Sequence, residues 1–284
     1  MSLDQNYGMG WQRDLPDIRD YTAKTTTINS VLSRSSAYQT NAKSLPAKVD
    51  LSQWCSPIEN QYSIGSCTAN AAVGLIEYFE QRAFGKHLDA SRLFLYKVTR
   101  NLLGWTGDTG AYMRTVMKAM VLFGVPPTKY YPYEIAVFDE EPPAFCYAFA
   151  QNYKAIQYYR IDPPGTPPST ILETVKVLLA GGLPSMFGFT VYSSISSAGG
   201  TGEIPFPGPG ESVEGGHAVV AIGYDDEKKI GNETGAFKIR NSWGTGWGDN
   251  GYGWLPYEYV LHGLAVDWWS LIKSDYVDTD LFKE

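Results

Sequence analysis

Near residue 158 the chain changes its hydrophobic period. Before that point apolar residues recur at three- and four-residue steps, most clearly over 67–82, where Ala71, Leu75 and Tyr78 form one row and Ala72, Ile76 and Phe79 another. Asn70, Glu77 and Gln81 are left as a narrow polar stripe, so this helix is expected to be mostly buried. Further helices are expected over 91–103, opening on Ser91 as an N-cap, and over 112–123, ending before Gly124 and two prolines. After residue 158 the runs "PSMFGFTVY", "HAVVAIGY" and "AFKIRNSW" are short, β-branched and aromatic, separated by Gly/Pro loops, with one helix expected between them over 171–180. Helices gathered in one half and strands in the other imply an α+β fold, since a parallel α/β sheet needs the two to alternate. With 284 residues and 44% hydrophobic content the chain can bury a substantial core.

Composition narrows the function classes. A net charge of -7 without a dense Lys/Arg run gives no electrostatic footprint for nucleic acid or an anionic membrane surface, so the expected partner is a protein, peptide or small molecule. The longest uncharged run, 177–202, is broken by Gly181, Gly182 and Pro184 and reads as helix end, strand and loop, not a membrane span. The start "MSLDQNYGMGW" lacks the basic region and apolar core of a signal peptide. Residues 1–44 are polar, Ser/Thr-rich and weakly periodic, in keeping with a separate arm or pro-segment. There is no internal repeat, phosphate-binding loop, dinucleotide fingerprint or Cys/His spacing for zinc, and no cofactor is expected. Three cysteines do not make a disulfide scaffold; whether Cys55 and Cys146 pair is open at this level.

The stretch "ENQYSIGSCTANAA" places Cys67 where a helix begins. A helix N-terminus supplies free N–H groups and partial positive charge, both of which favour a thiolate, and Gly65 and Ser66 keep the approach open. A nucleophilic thiol needs a base and a group to orient that base. Of three histidines, His87 lies in a polar link and His262 follows "YEYVL", whereas His217 follows two glycines and opens a strand. Asn241, at the end of the next strand, can accept from the His217 ring, and Trp243 can shield that hydrogen bond from water. The Gln61 amide and the Cys67 backbone N–H complete a pair of oxyanion donors.

These residues stand in the order Gln61, "GSC" at 65–67, "HAV" at 217–219 and "NSWGTGWG" at 241–248, with His217 150 residues after Cys67 and Asn241 24 after His217. In this the sequence resembles the papain-like cysteine peptidases over roughly 45–273, and the "LPAKVDLSQWCSPIENQ" lead-in resembles a bacterial-type branch. Where that family usually has Cys three residues before the nucleophile and Trp just after it, this chain has Ile64 and Thr68, so one customary disulfide is missing. The resemblance implies an N-terminal arm or pro-segment over 1–44 and a peptidase domain over 45–284. That domain would have a helical lobe at about 45–157 and a β-barrel lobe at about 158–284, with Cys67 and His217 facing each other across a cleft. It further implies hydrolysis of peptide bonds through an acyl-enzyme, with secretion or a periplasmic location as the setting. Acyl transfer of the transglutaminase type and non-catalytic binding on the same fold are the alternatives.

Substrate-binding residues follow from the same resemblance. Gly110 in "GDTGAY" resembles the glycine whose backbone pairs with substrate, and Gly216 and Trp247 flank the catalytic groups. Gly216 replaces an acid found there in plant enzymes, which is expected to alter pH dependence. Asp267, in "HGLAVDWW", aligns with the floor of the second specificity pocket. An unpaired buried acid there would favour Arg or Lys in the substrate; otherwise Asp267 is a structural acid. The Gly/Pro-rich run at 193–216 is long enough to overhang the cleft and suggests an exopeptidase variant. The arm, anchored through "GWQRDLPDIRDY", is expected either to occupy the cleft or to pack on a lobe.

Overall fold

The central helix of the first half begins at the nucleophile candidate itself. In the computed structural model, which describes residues 7–34, 44–153 and 157–273, a short strand β1 (Trp11–Gln12) and helix α1 (Thr26–Leu32) belong to the arm, and strand β2 (Lys48–Asp50) precedes helix α2 (Cys67–Phe84). Residues 1–6, 35–43 and 274–284, where parts of the arm and the end of the domain were expected, lie outside the described residues. Helix α2 ends where Gly85 takes a left-handed conformation and its N–H returns to the Gln81 carbonyl.

Two of the three residues in the expected polar stripe of α2, Asn70 and Glu77, face inward and are buried. Each is satisfied. Asn70 donates to the Ser66 carbonyl at 3.0 Å and accepts from Arg92 Nη1 at 2.9 Å, while Glu77 accepts from Ser56 Oγ at 2.5 Å and from the Ala90 N–H at 3.0 Å. Helix α3 (Arg92–Leu103) opens as expected on Ser91, whose hydroxyl accepts from the Phe94 N–H, and it is followed by strand β3 (Ala111–Tyr112) and helix α4 (Met113–Leu122). A seven-residue helix α5 (Ala144–Ala150) was too short to show a period in the sequence.

The second half is an antiparallel sheet. It contains β4 (Gln157–Arg160), then, after helix α6 (Pro168–Ala180), strands β5 (Ser185–Tyr192), β6 (Val213–Ile230), β7 (Glu233–Arg240) and β8 (Tyr252–Pro256). Helix α7 (Glu258–Leu261) and strand β9 (Ala265–Ile272) close the described chain. The strand order is β4-β9-β5-β6-β7-β8, with β2 added on β6. The fold class is therefore the expected α+β, with one exchange between halves, since β2 precedes the helices and pairs with the sheet. Helix α6 starts a turn earlier than its apolar period, because Pro168 at the first helical position has no N–H to lose.

Strand β6 is longer than "HAVVAIGY" and takes in the end of the expected 193–216 loop; a 3-10 helix, Ser193–Gly199, takes in its start. What lies between is tied down. Glu211 accepts from the N–H groups of Ser194 and Gly208, and Tyr259 donates to the Pro205 carbonyl at 2.9 Å. Among the described residues no helix is long and apolar enough to cross a membrane, and no group of three or more His, Cys, Asp or Glu side chains could hold a metal ion.

Candidate active site

Cys67 is the first residue of α2, so its sulfur sits at the positive end of an eighteen-residue helix. The turn before it is held by Asp108, which accepts from the Gly65 N–H at 2.8 Å and from the Tyr96 hydroxyl at 2.5 Å. His217 arrives on β6, opposite Phe189 of β5, and Asn241 follows directly on β7. The His217 Nε2 and the Asn241 Oδ1 are 2.7 Å apart, and Asn241 Oδ1 also accepts from the Ser242 N–H at 2.8 Å. This hydrogen bond puts the proton on Nε2 and leaves Nδ1, which has no hydrogen-bond partner, as the nitrogen able to serve the thiol. Trp243 stacks on the His217 ring with centroids 4.3 Å apart, and Trp247 stands edge-on behind Trp243.

Gln61 is fixed from both ends. Its Oε1 accepts from the Ser242 hydroxyl at 2.6 Å, and its Nε2 donates to the Ile64 carbonyl at 3.0 Å and to the carbonyl of Gly8 at 2.8 Å. A peptide carbonyl of the chain's own arm thus lies against the expected oxyanion donor. The arm continues over the nucleophile: the Gly10 N–H points at Cys67 Sγ at 3.4 Å, and the Gly10 carbonyl accepts from the Ala111 N–H at 2.8 Å. Strand β1 then runs parallel to β3. The fit depends on missing side chains, for a Cβ on Gly10 would fall 1.8 Å from the Gly65 carbonyl oxygen and one on Gly110 2.0 Å from that of Gly10. Tyr7, at the start of the segment, stacks on Trp243 at 4.7 Å.

The comparisons with known proteins fit this geometry. A profile of the papain family cysteine proteases matches residues 45–261. The chain belongs to the papain family of cysteine proteases. It is 37% identical over 229 residues to an uncharacterized peptidase C1-like protein of Acanthamoeba polyphaga mimivirus, covering 78% of this chain and 71% of that one. It is 31% identical over 222 residues to cathepsin K of Gallus gallus, covering 73% of this chain and 58% of that one. Of papain from Carica papaya it spans 50% of the length, at 30% identity over 207 residues, which are 69% of this chain. Among solved structures, xylellain, a cysteine protease from Xylella fastidiosa, is similar with a TM-score of 0.76 and 35% identity, covering 94% of this chain and 96% of that chain.

Within this papain-family site the electrostatics are those of a covered cleft. Burial pushes the Cys67 thiol up to about 11 and the His217 imidazole down to about 4, so with the arm in place both groups are neutral. The arm is held beyond the cleft by two arginines. Arg114 of α4 binds Asp14 and Asp20, and Arg160 of β4 reaches Asp20 at 3.6 Å and the Asp14 carbonyl at 3.3 Å. Between the two clamp residues of the arm, Asp14 and Asp20, the chain loops into solvent, with Leu15 71% and Ile18 96% exposed.

Three points that the sequence raised have the following surroundings. Asp267 is buried but not unpaired: its carboxylate faces Arg160 at 3.2 Å and accepts from two indole N–H groups, Trp269 at 2.7 Å and Trp11 at 3.1 Å. Gly216 backs the arm, for a Cβ there would fall 2.6 Å from the Trp11 carbonyl oxygen. Cys55 and Cys146 are both free, so that pairing is not made. The sequence brought forward Gly10 and Trp11 only within the anchored stretch "GWQRDLPDIRDY", and gave no role to Tyr7, Gly8, Arg114 or Arg160. The alternation of glycine with large side chains in "YGMGW" was the available signal for Tyr7, Gly8, Gly10 and Trp11.

Proposed function

We propose that this chain is a cysteine peptidase made in a latent form, with its N-terminal arm lying across the active site. The observation that carries the reading is the Gly8 carbonyl 2.8 Å from the Gln61 amide, beside a buried Cys67 and a His217–Asn241 pair. That is the position where an oxyanion would be stabilised during attack on a peptide carbonyl. Once the arm leaves, water reaches the site, the burial that holds Cys67 and His217 neutral is relieved, and transfer of the thiol proton to His217 Nδ1 gives a thiolate–imidazolium pair. The thiolate attacks the scissile carbonyl, Gln61 and the Cys67 N–H hold the oxyanion, and His217 protonates the leaving amine. Water, deprotonated by His217, then releases the acyl group and regenerates the thiol.

Cys67→Ala is expected to abolish both peptide hydrolysis and irreversible labelling by an active-site-directed epoxide; undiminished hydrolysis would end the assignment. Product analysis with an added amine acceptor separates hydrolysis from acyl transfer, since a transferase would yield the amine adduct in place of free acid. Latency is tested by mass spectrometry of the fully active form. Loss of residues 1 to at least 12 is expected, and full activity with residue 1 retained would defeat it.

A further inference from the structure

Trp11 fills a slot that the catalytic groups do not use. It is 7% exposed, and its ring passes where two glycines leave space. A Cβ on Gly188 would fall 2.0 Å from Trp11 Cε2, and one on Gly216 would fall 2.8 Å from Cε3. At the end of the slot Trp11 Nε1 donates to Asp267 Oδ2 at 3.1 Å.

Asp267 is built in rigidly. It is fully buried, holds a positive φ of 63°, and its N–H donates to Asp162 Oδ2 at 2.7 Å. The protein side satisfies Oδ1, through Trp269 Nε1 and Arg160, while Oδ2 is turned to the slot. Charge is also balanced there without the arm. Asp14 and Asp20 leave with it, so two cations over the Trp269 ring, Arg114 and Arg160, remain for two carboxylates, Asp162 and Asp267, both of which Arg160 contacts. A substrate cation entering such a neutral cluster would be desolvated without a free counter-charge, whereas a neutral N–H donor completes the one open acceptor.

We infer that the slot selects peptides carrying tryptophan, read by Asp267 Oδ2 through the indole N–H and by Gly188 and Gly216 through the width of the ring. The inference rests on the peptidase reading above for the slot's use, but its binding chemistry can be measured without turnover. In full-length Cys67→Ala with Trp11→Ala, a tryptophan peptide is expected to bind about tenfold tighter than its benzothienylalanine counterpart, which keeps the shape and lacks the donor. It should also bind tighter than the arginine and leucine peptides. Equal affinity for the two isosteres, or tighter binding of the arginine peptide, would overturn the inference. If that protein does not fold, Trp11→Phe in the otherwise native chain replaces it. Loss of the donor is then expected to raise the rate of epoxide labelling at Cys67 about tenfold, and an unchanged rate counts against the slot. Indole-selective binding in a chain that hydrolyses no peptide would leave this inference standing and overturn the peptidase reading instead.

Discussion

Gln61 has its amide orientation set by what it faces. The Gly8 and Ile64 carbonyls can only accept, and the Ser242 hydroxyl can donate, so nitrogen and oxygen have one consistent assignment. Gln61→Ala is therefore expected to lower kcat by roughly a hundred- to thousandfold with little change in KM, because the lost donor acts on charge that develops only in the transition state. Gln61→Glu should be worse than Gln61→Ala, since a carboxylate would set acceptor against acceptor; steady-state kinetics on the activated enzyme decide, and a Glu variant more active than the Ala variant would refute the assignment. The four candidate catalytic residues, Gln61, Cys67, His217 and Asn241, could be named from the sequence because the chemistry proposed for them is local to short motifs, each on one turn or strand end. The partners of Asp267 could not. Arg160 and Trp11 lie 107 and 256 positions before it in the chain, and only the sheet and the arm bring them to its carboxylate.

At the level of elements, α2 joins the two halves through a glycine. Gly74 sits mid-helix, where alanine would ordinarily add about 1 kcal/mol of stability. Here a Cβ would fall 2.5 Å from Arg240 Nη1 at the end of β7. That guanidinium is engaged with Ser56 Oγ at 3.0 Å and the Pro57 carbonyl at 2.8 Å, so it cannot retreat freely. The Ser56 hydroxyl in turn donates to Glu77, whose pKa is raised by burial and drawn back down by Arg240. Gly74→Ala should thus destabilise by about 1–3 kcal/mol, the range for overpacking, and lower Tm in a thermal melt; a raised Tm would show that the helix term wins. Periodicity located α2 correctly but described its polar stripe as a property of one helix. Its burial is a property of the pair, since Asn70 and Glu77 are satisfied by Arg92, Ser56 and Ala90 from other segments.

For the whole molecule, the latency proposed above implies that the arm couples cleft closure to pH through groups it covers. In the closed cleft burial lowers His217 from its ordinary value of 6.5 to about 4, so the closed form binds fewer protons than an open one between those pH values. The stabilisation that neutral His217 gives to closure is complete above pH 6.5 and is lost as pH falls through 4. Asp267 works in the opposite sense, since burial raises it to about 6 and a protonated carboxyl is favoured while it stays covered. Only part of that burial comes from the arm, however; Asp162 and Trp269 remain packed on Asp267 after the arm leaves, and the departing Trp11 N–H had been lowering its pKa. Burial works to raise Asp20, but its hydrogen bond to Arg114 outweighs this and holds it below its ordinary value, so the clamp stays charged where His217 titrates. The balance favours His217. Epoxide labelling of Cys67 in the full-length chain should accelerate from pH 7 to pH 5, by at most about tenfold per pH unit for one proton. Asp267→Asn should steepen that rise, because it removes the opposing titration. Arg114→Ala, which releases Asp14 and Asp20, should raise the rate at pH 7 and flatten the profile, because the arm is then already partly displaced when His217 takes up its proton. Labelling that slows steadily with acidification in the native chain would mean that the arm's hold is governed by carboxylates and not by the imidazole it covers.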